Sequence, residues 1–349
     1  MRARVVVPLV LASALLAGCS DDSPPRSAPP PSPSPTATAP SPTPSATPAP
    51  REVSVLGLAT QQLTGSDLKL GKVRERTATY TSYDVTYRSR STTTAGTSDT
   101  FRISGVLNVP QGTGPFPAVV LAHGYIDPAV YVRGQGMTRE RGYLAARGYV
   151  ALHVDYRNHA ESGDDPDLNV HMRLGYTADV INAAKALTSS KRVPVDADRV
   201  YLFGRSMGGG VGMKALEVAP GLFRGAALWA SVSSLESENW NRFTRNPTNR
   251  QAALNGQVVR RNGTPQQNPA FWRDNSARPF FDRITEPVLL VHGRNDDTCP
   301  PRWARATKRA MDAAGVDAQL AWYDDGHPFG SAFNAAMDRT VGFFANAGR

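Results

Sequence analysis

Cysteine is almost missing from this chain: Cys19 and Cys299 are the only two in 349 residues. A disulfide framework therefore cannot carry stability. That leaves a hydrophobic core, and about 300 residues beyond position 50 are enough to build one. No Cys and His pair has zinc-site spacing, and Cys299, inside Asp-Asp-Thr-Cys-Pro, has neither a metal nor a redox partner in the sequence. Net charge is +9, but the basic residues are scattered and no basic block is interleaved with aromatics. This pattern reads as a solvated basic surface and argues against a nucleic-acid partner. Internal repeats are also absent.

The first apolar stretch, residues 5–16, is too short to span a bilayer comfortably. Arg2 and Arg4 precede it and Leu16-Ala17-Gly18-Cys19 closes it. Residues 1–18 therefore read as a signal peptide whose end resembles the lipobox of bacterial lipoproteins. The expectation is an exported protein, held on the outer side of the cell membrane by a lipid on Cys19. Residues 20–50 are Pro, Ser, Thr and Ala with almost nothing apolar. Such a stretch buries no core and stays extended as a tether. The globular domain is expected over 51–349.

The domain is organised around Val-Tyr-Leu-Phe-Gly-Arg-Ser-Met-Gly-Gly-Gly, residues 200–210. An apolar strand runs into Gly204-x-Ser206-x-Gly208, and helical spacing follows through Met213 and Leu216. Strand, tight turn and helix make this pattern a nucleophile elbow. Around it, strands and helices alternate. The pattern predicts a hairpin from 77–87 and 101–109, and strands over 118–122, 149–155, 225–230, 287–292 and 318–323. Helices are predicted over 137–147 and 303–314, at the spacing of Met172, Tyr176, Val180, Ile181 and Leu187, and at the C-terminal end. Near-continuous apolar strands separated by helices imply an α/β fold: a mostly parallel sheet covered on both faces. Residues 233–283 break the rhythm with Asn, Arg and Gln. They also carry Trp240, Phe271 and Trp272, which a cap or lid would bury.

A Ser nucleophile needs a base within reach and an acid to orient it. In a parallel sheet such groups sit in loops at the C-terminal strand ends. Ser206 follows one strand, Asp296 follows the strand ending near His292, and His327 follows the strand ending at Tyr323. The order Ser, Asp, His is that of α/β-hydrolases. Of the other histidines, His123 and His292 each end a strand before Gly and read as loop braces. His153 reads as packed, His159 as a loop residue beside the site, and His171 as a surface residue opening a helix. Asp297, Asp324 and Asp325 are the competing acids.

These residues carry a resemblance. The chain from about position 77 onward resembles an α/β-hydrolase of the prolyl oligopeptidase-like and dienelactone hydrolase-like branch. The matching pieces are Pro117-Ala-Val-Val-Leu-Ala-His-Gly-Tyr125, Val154-Asp-Tyr-Arg-Asn-His-Ala-Glu-Ser162, Gly204-Arg-Ser-Met-Gly208, Val291-His-Gly-Arg-Asn-Asp296 and Gly326-His327. In such relatives the acid stands three residues after the Gly of His-Gly, which selects Asp296 over Asp297. The resemblance implies an acyl-Ser mechanism, with an oxyanion held by the Met207 backbone N–H and by Tyr125, through its N–H or its hydroxyl. It implies no metal and no organic cofactor. Asn-His-Ala departs from the Gly-His-Gly common in relatives. The sequence also shows no N-terminal β-propeller of the kind that restricts many prolyl oligopeptidases to short peptides. The expectation is a serine hydrolase acting on small esters, with short-peptide hydrolysis as the alternative and a non-catalytic binding lipoprotein as the second.

Overall fold

The computed structural model describes residues 49–244 and 248–347. Cys19, the signal peptide and most of the tether lie outside the described residues. After a short helix α1 (Val55–Ala59), three long strands follow: β1 (Gln62–Arg76), β2 (Tyr80–Thr92) and β3 (Ser98–Pro110). Then come β4 (Phe116–Ala122), α2 (Thr138–Ala145), β5 (Val150–Val154), α3 (Leu174–Thr188), β6 (Val195–Arg205), α4 (Met207–Val218) and β7 (Ala226–Trp229). The segment between β7 and the next strand holds α5 (Glu236–Phe243), α6 (Asn249–Asn262), α7 (Pro269–Asp274) and a 3-10 turn at Arg278–Arg283. The chain closes with β8 (Val288–Gly293), α8 (Pro301–Ala313), β9 (Ala318–Tyr323) and α9 (Phe333–Asn346).

The strands form one nine-stranded sheet in the order β1-β2-β3-β5-β4-β6-β7-β8-β9. The first three pair antiparallel, β3 pairs antiparallel with β5, and every pairing from β5 to β9 is parallel. This is the α/β-hydrolase fold. Parallel strands need helical crossovers, so both sheet faces are covered and both side-chain sets of a strand turn apolar. In β4, Ala118, Val120 and Ala122 join the core beneath α3 and α4, while Val119 and Leu121 join a second core beneath α2 and α9. All five are fully buried.

The predicted hairpin is present, with β2 and β3 in register from Tyr80 opposite Pro110 to Thr92 opposite Ser98. β1 was not readable in the sequence. Its pairing with β2 shifts register at three places, so the period-2 signal is scrambled along it. Helix α3 begins at Leu174, which leaves Met172 and Arg173 in left-handed backbone just ahead of it. His171 lies in that turn and does not open the helix. Over 233–283, Phe271 and Trp272 are buried in a small cluster with Val258, and Trp240 packs against it.

Candidate active site

The elbow forms where β6 meets α4. Ser206 stands between them at φ 56° and ψ −120°, a conformation that L-residues adopt only under constraint. The constraint is close packing without Cβ atoms. A Cβ on Gly208 would lie 1.9 Å from the Ala122 carbonyl, and one on Gly204 would lie 2.4 Å from the Gly208 carbonyl. Strand and helix can therefore approach only at glycine. The turn is tied by its own backbone: the Ser206 N–H donates to Trp229 O at 2.9 Å, and its carbonyl accepts from Gly209 N at 2.9 Å and Val232 N at 3.2 Å.

Three loops converge on the Ser206 side chain. His327 Nε2 lies 3.0 Å from Ser206 Oγ, and His327 Nδ1 lies 2.8 Å from Asp296 Oδ2. With Nδ1–H donating to the carboxylate, Nε2 is left to accept the serine proton. Asp296 is fixed in turn. Its Oδ1 accepts the N–H groups of Thr298 at 3.0 Å and Cys299 at 2.7 Å, which leaves Oδ2 for the imidazole. His292 braces the same loop through Nε2–H to Cys299 O at 2.8 Å, and burial holds its pKa down, so it stays neutral. The Cys299 thiol is buried, with both the Asp296 carboxylate and the Ser206 side chain near it. Burial first, then the Asp296 charge, pushes its pKa up, so it stays a thiol.

The competing acids point elsewhere. Asp297 is exposed, and its carbonyl accepts from Arg242. Asp324 is exposed and pairs with Arg294 at 3.0 Å. Asp325 accepts from the N–H groups of Gly326 and Ala332, and so shapes the histidine loop from within.

Met207 is the first residue of α4, where helical N–H groups have no partner one turn back. The loop after β4 passes close by: a Cβ on Gly124 would lie 3.1 Å from Ser206 Cβ. Tyr125 follows it, and Tyr125, Ser206, Met207 and His327 line one cavity of about 450 Å³. Beneath this loop His123 is wholly buried, 2.6 Å from Gly124 O through Nδ1, and burial drives its pKa to about 3. His159 spans the carbonyls of Arg157 and Ile126. His153 is buried beside Tyr131 and Arg141. Among the described histidines only His327 contacts a hydroxyl through one ring nitrogen and a carboxylate through the other.

Residues 136–347, more than half of the chain, match the prolyl oligopeptidase family. The chain belongs to that family. It is 29% identical over 187 residues to dipeptidyl peptidase 4 of Felis catus, a match covering 52% of this chain and 22% of that protein. It is 32% identical over 109 residues to the esterase EstD of Thermotoga maritima, covering 30% of this chain and 25% of that one. The chain thus spans about a quarter or less of the length of these curated relatives. Acetyl xylan esterase 1 from Thermoanaerobacterium sp. superposes with a TM-score of 0.60 at 18% identity, over 86% of this chain and 95% of that one, which speaks to the fold.

Within this family framework, one part of the site was invisible in the sequence. Arg205, the variable position of the elbow motif, donates to His327 O at 3.1 Å and to Glu140 Oε1 at 3.2 Å. Arg139 donates to the next two carbonyls, Pro328 O at 2.8 Å and Phe329 O at 3.0 Å. Glu140 is only 1% exposed and stands between the two guanidiniums. This clamp holds the His327 loop by its backbone. Nothing in the local sequence links Glu140 to residues some 190 positions away. Glu140→Gln should lower kcat roughly ten- to a hundredfold with little change in KM, because sub-ångström misplacement of a base slows chemistry more than binding. Separate kcat and KM values on folded protein check this; an unchanged kcat would reduce the clamp to a structural role.

Proposed function

We propose that the chain is a serine hydrolase that cleaves carboxylic esters through an acyl-Ser206 intermediate. The observation carrying this is the hydrogen-bonded series from Ser206 Oγ to His327 Nε2 and from Nδ1 to Asp296, set in a cavity of about 450 Å³. Ser206 Oγ attacks the acyl carbon while its proton moves to His327 Nε2. The carbonyl π pair goes to oxygen, where the Met207 N–H and the Tyr125 group stabilise it. Asp296 stabilises the imidazolium. The oxyanion collapses, the C–O bond to the alcohol breaks, and His327 returns the proton to the leaving alkoxide. Water, deprotonated by the same imidazole, then attacks the acyl-enzyme, and Ser206 leaves with the proton.

Esters are favoured over peptides by the cavity's charges. A dipeptidyl-type substrate presents an ammonium that needs a carboxylate partner. Glu236 is the only carboxylate among the described lining residues, and Lys214 occupies it at 2.6 Å. The esterase relative supports this reading, and the dipeptidyl peptidase relative keeps peptide hydrolysis as the alternative. p-Nitrophenyl esters of graded chain length should give higher kcat/KM than aminoacyl-p-nitroanilides. A higher value on an anilide would replace the ester reading with the peptidase one. Turnover of neither, with no labelling by a fluorophosphonate probe, would favour a binding protein.

The proposal extends to location. Cys19 carries a diacylglyceryl anchor and residues 20–50 act as the tether on the extracytoplasmic face. Support comes from Leu16-Ala17-Gly18-Cys19 closing the apolar stretch behind Arg2 and Arg4. Mass spectrometry of the N-terminal peptide should find Cys19 first and lipid-modified. A mature chain beginning elsewhere, without diacylglycerol, rules the anchor out.

A further inference from the structure

The cavity above Ser206 contains a cation with no counter-ion among the described residues. Arg173 lines it beside Tyr125 and Tyr176. No carboxylate lies within ion-pair distance of its guanidinium among the described residues. Its described partners are Asn169 Oδ1, 3.3 Å from Nε, the Met207 sulfur, 3.8 Å from Nη1, and the Tyr125 ring, 5.2 Å below. These leave most of the N–H donors of the planar fork unengaged. The other lining cation, Lys214, is neutralised by Glu236. Asp127 lines the adjoining cavity, where Ala129 N donates to it. The contacts with the Met207 side chain and the Tyr125 ring place the Arg173 charge beside the two residues whose donors are assigned to the oxyanion.

The backbone is bent to achieve this. Met172 and Arg173 are consecutive non-glycine residues at φ 51° and 57°, and both line the cavity. Left-handed backbone at two adjacent side-chain-bearing positions is unfavourable, and such strain persists where the surroundings enforce it. Arg173 is also the N-cap of α3, a helix N-terminus where the dipole disfavours a cation.

We infer that Arg173 is a specificity-determining residue that recognises a carboxylate on the substrate, so that the preferred substrates are esters bearing an anionic group near the scissile bond. A guanidinium fork matches a carboxylate in planar, two-point fashion, and a partly enclosed cavity weakens the pair's screening by solvent. The inference rests on the ester-hydrolase reading and supplies its substrate class.

The test compares matched pairs differing only in charge. For the acyl side these are mono-p-nitrophenyl glutarate and its methyl ester. For the alcohol side they are 4-acetoxybenzoate and its methyl ester. In one of the two pairs the wild-type enzyme should prefer the anionic member roughly ten- to a hundredfold in kcat/KM. The whole chain is basic, so a general attraction for anions has to be separated from a specific one. Arg173→Gln should bring the ratio close to one. Arg173→Lys should keep part of it, and rising salt should erode it less than a surface effect would require. Hydrolysis of both members of each pair at equal rates overturns this inference alone. So does a preference unchanged in Arg173→Gln. Hydrolysis of no ester overturns the ester-hydrolase reading, and this inference falls with it. If Arg173→Gln fails to fold, the Lys variant and the wild-type charge preference still decide the matter.

Discussion

Ser206→Ala is expected to lower ester turnover by on the order of 10⁶, the scale seen when the nucleophile of a triad is removed. It should also abolish labelling by a fluorophosphonate. The effect should be chemical and not structural. The contacts that define the turn are made by the Ser206 backbone, to Trp229, Gly209 and Val232, and alanine keeps all of them. The positive φ is no harder for Ala than for Ser. Removing Oγ deprives His327 Nε2 of its partner in a site already open to the cavity, so little stability is lost. The melting temperature should barely move, and circular dichroism should match wild type. A variant that is folded and still labels at the wild-type rate would transfer the nucleophile to another residue.

Asp296→Asn should lower turnover by about 10⁴, whereas Asp297→Asn should change it by no more than a few-fold. The geometry states why. Oδ1 of Asp296 accepts two backbone N–H groups and has to remain an acceptor, so an asparagine there places its carbonyl oxygen at that position. The amide nitrogen is then forced opposite His327 Nδ1, which stands 2.8 Å from Oδ2 in the native protein. Two donors cannot face each other. The imidazole therefore takes the tautomer protonated at Nε2, and that nitrogen can no longer accept the Ser206 proton. The loop keeps its backbone hydrogen bonds, so the protein should fold normally. Asp297 is exposed, and among the described residues its side chain accepts only from the Thr298 hydroxyl, at 3.3 Å. Equal losses in the two variants, or the reverse ranking, would show that the acid is misassigned.

Much of the fold was legible because its signals are local. The elbow declared itself through glycines at fixed offsets from Ser206, since a missing Cβ is required wherever backbones touch. The buried parallel strands showed as apolar runs because both faces are covered. The hairpin of β2 and β3 was readable because its register is unbroken. β1 was not, because its register slips repeatedly and its side chains change face with each slip. The start of α3 lies a few residues later than the helical spacing implies, while its end at Thr188 fits the spacing through Leu187. Met172 keeps helical spacing with Tyr176 in sequence, yet sits in left-handed backbone ahead of the helix.

By itself the sequence determined the fold class, the elbow, and the three residues that meet at the site, because each belongs to a short motif at a strand end and the sheet carries strand ends to one edge. Only the tertiary structure decided which groups act around them. Glu140, Arg205 and Arg139 become a clamp on the His327 loop, and Arg173 becomes a cation over Tyr125 with no carboxylate partner among the described residues, through contacts between residues far apart in the chain. The strength of a charge depends on burial and on which partners are missing. Neither quantity is a property of neighbours in sequence; both arise when separate loops are packed against one another.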